Sequence, residues 1–134
     1  MAESFPFDLV SPERQLLSEA ATAVVVPGTE GYFTVMAGHA PFMTTVKPGV
    51  VQATLANGRE ERIFVLGGFA DVSPAGFTLL AEHATPVSDM NAADLDARIR
   101  DAEEDVKDSE TPERKAKAER DLAALKEARS ALAG

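Results

Sequence analysis

The stretch Pro27-Gly28-Thr29-Glu30-Gly31-Tyr32-Phe33-Thr34-Val35-Met36-Ala37-Gly38-His39-Ala40-Pro41-Phe42-Met43-Thr44-Thr45-Val46-Lys47-Pro48-Gly49 carries three turn signals. These are Pro27-Gly28, Ala37-Gly38 and Lys47-Pro48-Gly49, and they separate two short runs rich in β-branched and aromatic residues. Glycine supplies positive φ and proline fixes φ, so such clusters end strands for a mechanical reason. The spacing predicts two strands whose polar tips, Glu30 and His39, sit in turns, where a β-scaffold presents residues to partners.

The flanking sequence continues the pattern. Phe5 to Val10 reads as an opening strand, placed at a sheet edge by Pro6, and Ser11-Pro12-Glu13-Arg14 turns the chain. Gln15 to Val26 holds one strand or two, ending in Val24-Val25-Val26. Downstream, Val50 to Leu55 alternates, with Val51, Ala53 and Leu55 facing one way and Gln52 and Thr54 the other. Asn57-Gly58 supplies a two-residue hairpin turn in which both residues tolerate positive φ. The return strand, Arg59 to Leu66, begins charged and ends apolar on both faces; Gly67-Gly68 breaks it, and Phe69–Val72 and Phe77–Ala81 are joined by Ser73-Pro74-Ala75-Gly76 in type I turn positions. Many short strands at near-regular spacing predict an antiparallel sandwich or flattened barrel.

The chain changes character near Pro86, from glycine, proline, valine and phenylalanine to alanine and charge. This divides it into a β-sandwich over 1–87 and a helical hairpin over 88–134, an α+β protein. Asn91 with Asp94 makes an approximate capping box, and Leu95, Ile99, Ala102 and Val106 recur at helical spacing. Lys107 to Glu110 reads as a short connection. Thr111-Pro112-Glu113 then offers a capping hydroxyl, proline at the first helical position and an acid in the first turn. Ala118, Leu122, Leu125 and Leu132 form the facing stripe. The first helical segment, Asp89–Glu110, is strongly acidic, while Thr111 onward is net basic, so the two favour pairing. With a stripe this narrow the hairpin is marginal alone, because ordering each residue costs about 1–2 kcal/mol in backbone entropy.

Composition excludes several functions. With 134 residues and a net charge of −9, the chain lacks the clustered Lys and Arg that phosphate contacts require, so no nucleic-acid partner is expected. The same charge disfavours an anionic membrane surface. There is no cysteine, hence neither disulfide nor thiolate nucleophile. No apolar run approaches the ~20 residues of a membrane span, and the N-terminus lacks a signal peptide's basic start and apolar core. Phosphate-loop and dinucleotide fingerprints are missing. The two histidines, His39 and His83, are too few for a His-rich metal site. Glu60-Glu61, beside Arg59 and Arg62, read as rim charges that discourage edge pairing. No catalytic constellation emerges, and no cofactor or metal is expected.

The sequence resembles the ε subunit of F-type ATP synthases, the δ subunit in mitochondrial naming. The resemblance rests on Val26-Pro27-Gly28-Thr29-Glu30-Gly31, Gly38-His39-Ala40-Pro41, Lys47-Pro48-Gly49, Phe64-Val65-Leu66-Gly67-Gly68-Phe69 and Thr78-Leu79-Leu80-Ala81-Glu82, in that order and followed by a helical tail. It implies a non-catalytic rotor subunit, peripheral at the cytoplasmic face of the bacterial inner membrane and monomeric when isolated. It also implies that the sandwich meets the c ring through Thr29, Glu30, Gly31 and Tyr32, and the γ shaft around Gly38, His39, Ala40, Pro41 and Thr44. By the same resemblance the hairpin can inhibit ATP hydrolysis, with Lys115, Lys117, Arg120, Lys126 and Arg129 facing acidic segments of the catalytic α/β subunits. Two departures stand out. Thr34-Val35-Met36-Ala37 lacks the family's proline before Gly38, and Ile99-Arg100 replaces Arg-Ala in the ATP-binding pattern that begins at Leu95-Asp96, which argues against an ATP site.

A rival from another class is a free-standing ligand-binding β-sandwich with a helical dimerisation hairpin. It predicts an apolar pocket near the turns and a helix-mediated homodimer.

Overall fold

The computed structural model describes residues 3–133; Met1, Ala2 and Gly134, which the sequence reading included at the two ends, lie outside the described residues. Nine strands precede two helices: β1 (Phe5–Val10), β2 (Gln15–Gly28), β3 (Gly31–Met36), β4 (Phe42–Val46), β5 (Gly49–Leu55), β6 (Glu60–Val65), β7 (Gly68–Ser73), β8 (Gly76–Ala81), β9 (Ala84–Pro86), α1 (Ala92–Asp108) and α2 (Pro112–Ala133). The expected sandwich followed by a helical hairpin is the fold observed. The strand order is β1-β8-β7-β4-β2-β5-β6-β9, with β3 paired on β2 and a further β1–β2 pairing.

The long strand β2 joins the layers. Its first half pairs with β1, and its second half pairs with β5 on one side and β3 on the other. A register shift between Ala21 and Ala23 marks a bulge against β5, the irregularity by which a strand bends from one sheet into the next. The segment Lys47-Pro48 makes a second corner, carrying the chain from β4, paired on β7, to β5, paired on β2. Inward-facing Phe7, Leu9, Val24, Val26, Val51, Leu55, Phe77 and Leu79 fill the space between layers, each essentially without solvent exposure. The Phe7 and Phe77 rings pack at 5.2 Å between centroids, tilted 34° to one another.

Five local expectations are corrected. β1 is not an edge strand: it pairs antiparallel with β2 and parallel with β8, so one ladder departs from an all-antiparallel plan. Pro6 is tolerated because the β8 ladder begins one residue later, at Phe7. Pro27 and Gly28 are buried strand residues of β2, and the turn falls at Thr29-Glu30. The Asn57-Gly58 hairpin has a three-residue loop, Ala56-Asn57-Gly58. The Leu55 amide donates to the Arg59 carbonyl at 2.8 Å, the Gly58 amide donates to the Leu55 carbonyl at 3.0 Å, and only Gly58 has positive φ. Such a loop is a type I turn closed by a left-handed glycine. Ala84–Pro86 adds a short strand on β6 that periodicity could not register, being three residues long. Lys107 and Asp108 belong to α1, which leaves Ser109 to Thr111 as the connection.

A second apolar cluster lies outside the sandwich. Val50 and Phe64, on the outer face of β5 and β6, pack with Val87, Leu95, Ala102, Ala124, Leu125 and Ala128. This explains why β6 ends apolar on both faces: Ile63 and Val65 enter the sandwich core, while Phe64 is covered by the hairpin. Both helix starts are capped as read. The Asn91 side chain accepts from the Ala93 and Asp94 amides at 2.8 and 3.3 Å, and the Thr111 hydroxyl accepts from the Arg114 amide at 3.2 Å.

Candidate functional site

Two exposed features flank β3. At one end the β2–β3 hairpin closes through Gly28 opposite Gly31, leaving Thr29 and Glu30 in solvent at the tip. Tyr32, next along β3, is anchored. Its hydroxyl oxygen accepts from the Val50 amide at 3.3 Å, and its proton is donated to the Glu127 carboxylate of α2. Partial burial and the bond to Glu127 both push the phenol above its ordinary pKa, so the donating form persists through neutral and moderately alkaline pH. Gly49 makes this seat possible: a Cβ there would lie 2.9 Å from the Tyr32 hydroxyl and 2.8 Å from Cβ of Pro27. Its role is close approach, not the positive φ that its turn position suggested.

At the other end of β3, Ala37 to Pro41 leads into β4. The His39 amide donates to the Met36 carbonyl at 3.1 Å. Its Nδ1 lies 2.8 Å from the Ala40 carbonyl, which requires the proton on that nitrogen. The His39 ring rests on Phe42 at 5.0 Å, and Phe42 meets Phe33 edge-on at 5.3 Å. The tips therefore share a surface. An open groove of about 510 Å³ runs between β3 and β4, lined by Thr29, Glu30, Tyr32, His39, Phe42 and Thr44 among others.

Alternation in β4 directs Thr44 into that groove and its neighbours Met43 and Thr45 to the outer face of the sheet. There Met43 is 62% exposed and Leu80 51%. The register places Thr45, Phe69 and Leu80 in one cross-strand row. This apolar outer face was not singled out from the sequence, although the period-two pattern of β4 and β8 carried the signal. Met43 itself lies opposite the exposed Asp71 and diagonal to Phe69, so the face carries an apolar row, Phe69 and Leu80, beside a mixed one; apolar residues grouped in this way on one sheet face are a candidate interaction surface.

The five basic residues of α2 that the resemblance singled out divide. Lys117 pairs with Asp121 at 2.9 Å within the helix, and Arg129 pairs with Asp96 of α1 at 3.0 Å. Asp96 stands where the resemblance put the acid of an ATP-binding pattern; in this fold it ties the two helices together. Lys115, Arg120 and Lys126 are exposed. Among the described residues no group of three His, Asp or Glu is placed to hold a metal ion, and no helix is long and apolar enough to cross a membrane.

Comparison with known proteins matches residues 4–87 to the family described as ATP synthase, Delta/Epsilon chain, beta-sandwich domain. The ATP synthase epsilon chain of Mesorhizobium japonicum is 57% identical over 125 residues, 93% of each chain. That of Brucella anthropi is 52% identical over 119 residues, 89% of this chain and 88% of the relative. A chain in the structure of the Euglena gracilis mitochondrial ATP synthase, comprising OSCP, F1 and c-ring in rotational state 1, superposes with a TM-score of 0.82 at 21% identity, covering 96% of this chain and 81% of that one. A chain of the Tetrahymena thermophila mitochondrial ATP synthase central stalk and c-ring gives 0.70 at 11% identity, with 98% of both covered. At these identities the two structures share the fold.

Proposed function

This chain belongs to the ATP synthase delta/epsilon chain family, and from that premise we propose that it is a non-catalytic subunit of the central stalk, seated between the γ shaft and the c ring. The supporting observation is the division of its exposed surface. The polar tip Thr29-Glu30-Gly31, with Tyr32 behind it, suits the polar loops of a membrane ring. The loop Gly38-His39-Ala40-Pro41, the groove residue Thr44 and the apolar outer face with Met43, Phe69 and Leu80 suit a protein shaft. This assignment places the subunit at the cytoplasmic face of the bacterial inner membrane, held there by its partners. The rival, a ligand-binding sandwich that dimerises through its helices, is set aside by the family membership; the apolar stripe of the hairpin is engaged internally on Val50 and Phe64.

Mixed with the γ subunit, the protein should co-elute as a stable complex in gel filtration, and separate elution would overturn the shaft assignment. Leu80→Asp places a charge on the exposed face without entering the core, and should weaken that complex about 10–100-fold, as expected for an interface anchor.

We infer a second role for the hairpin, restraint of ATP hydrolysis, from the exposed bases Lys115, Arg120 and Lys126 on a helix that docks through a small apolar cluster. Removing residues 88–134 should raise hydrolysis by the assembled enzyme about fivefold, the lower end of common allosteric couplings. Unchanged hydrolysis would retire this reading.

A further inference from the structure

Among the described residues, the Tyr32–Glu127 hydrogen bond is the only side-chain hydrogen bond or ion pair that joins the helical hairpin to the sandwich. The remaining contact is apolar, through Val50, Phe64 and Val87 against Leu95, Ala124, Leu125 and Ala128. The two hydrophobic clusters share no residue, so the hairpin can leave without opening the sandwich core. Tyr32 also sits two residues from Glu30 at the exposed tip, and β3 pairs only with β2, which leaves its other edge unrestrained.

We propose that Tyr32 is a latch coupling the β2–β3 tip to the docked hairpin, so that a partner that displaces the tip loosens α2, and undocking of α2 loosens the tip. The geometry makes this coupling direct. A single phenol oxygen touches β5 through the Val50 amide and α2 through Glu127, while its ring is fixed to β3. Because Val50 belongs to a strand paired on both sides, a shift of β3 carries the phenol oxygen away from a fixed amide and perturbs the bonds to Val50 and to Glu127 together. The missing Cβ of Gly49 gives the hydroxyl this position and no room beyond it on that side. Coupling between two sites is reciprocal by thermodynamic necessity. The latch is a property of the isolated chain, and it stands or falls independently of which partners bind the tip or the outer face.

The test is amide hydrogen exchange on the full chain, read residue by residue. Tyr32→Phe keeps the ring and removes only the hydroxyl. Exchange should rise about tenfold for α2 amides around Leu122–Arg129, the size expected for a phenol–carboxylate bond discounted for partial exposure. The amides of Gly31–Phe33 at the tip should accelerate with them, while core amides such as those of Val24 and Val51 stay unchanged. Glu127→Ala should reproduce both effects. Glu127→Gln keeps an acceptor oxygen and should restore most of the protection. The latch is overturned if Tyr32→Phe leaves α2 exchange unchanged, if α2 loosens without the tip, if the whole sandwich accelerates uniformly, or if Glu127→Gln behaves as Glu127→Ala.

Discussion

Gly68→Ala should destabilise the sandwich by about 3 kcal/mol or more, a cost in the range reserved for backbone strain and steric conflict in a core. Gly68 opens β7 at a φ of +156°, and a Cβ built there would stand 2.1 Å from the carbonyl oxygen of Leu80 and 2.9 Å from Cα of Ala81. Neither atom belongs to a flexible side chain, so the strand pair β7–β8 must separate locally or the mutant must adopt another backbone. With a denaturant slope of about 1–3 kcal/mol per M in urea, the midpoint should fall by about 1–3 M. Gly38→Ala is the control. Its φ is also positive, +82°, yet a Cβ there meets nothing within 4 Å, so only the left-handed backbone penalty of about 1–2 kcal/mol applies. Equal losses in the two variants would show that conformation alone, not the approach of β8, sets the demand for glycine at position 68.

Leu95→Ala should release the hairpin while leaving the sandwich folded. Leu95 is 1% exposed and is among the largest fully buried side chains in the chain. Truncating such a residue costs about 2–5 kcal/mol, through lost transfer energy and the cavity left behind. Besides Leu95 the hairpin buries one other large side chain in the outer cluster, Leu125; Ala102, Ala124 and Ala128 contribute little each, and Ile99, Leu122 and Leu132 are only partly buried. A loss of that size removes a large share of what holds the hairpin down. Helical circular dichroism at neutral pH should drop markedly, while the cooperative unfolding of the β-structure persists near its original midpoint. One transition, shifted as a whole, would mean that sandwich and hairpin fold as a single cooperative unit. The same variant examines the hydrolysis assignment without deleting any residue: if the docked hairpin is the uninhibited form, Leu95→Ala and the chain ending at Val87 will move hydrolysis in opposite directions.

Local chemistry in the sequence was enough to place most strands and both helices. Asn91 and Thr111 cap where short polar side chains cap, Pro112 opens α2 where proline is free of its missing amide, and Ser73-Pro74-Ala75-Gly76 turns where proline and glycine allow. What local chemistry does not contain is the partner of each strand. Pro6 suggested an edge because proline lacks a donor, but whether an adjacent ladder needs that donor depends on β8, far along the chain. Pro27-Gly28 looked like a turn for a similar reason. In the fold both are buried in β2, and Gly28 is required small because a Cβ would strike the Phe33 ring at 2.9 Å.

The candidate surfaces were legible to a lesser degree. Thr29, Glu30, Gly38, Ala40 and Pro41 are exposed as turn residues should be. His39 and Thr44 share the groove with the tip, an adjacency created by the pairing of β3 on β2 and of β4 on β7. Tyr32 and Glu127 are separated by 95 residues, and no periodicity connects them. Arg129 shows the same limit: as one base in a net-basic helix it looked available, whereas Asp96 across the hairpin already holds it.

The parallel pairing of β1 with β8 bears on how the molecule is made. Phe7 is registered against Phe77, and Val10 against Leu80. A ribosome adding about 5–20 residues per second needs roughly 4–14 s to supply β8 after β1 has been synthesised. During that interval β1 and β2 can form their hairpin, but one flank of β1 presents an unpaired backbone edge and the Phe7 side chain lacks its aromatic partner. Closure of the sandwich waits for the strand that fills this gap. The helices come later still, and the face they cover on Val50 and Phe64 is already assembled when they emerge, so the subunit is built with its helical part added last.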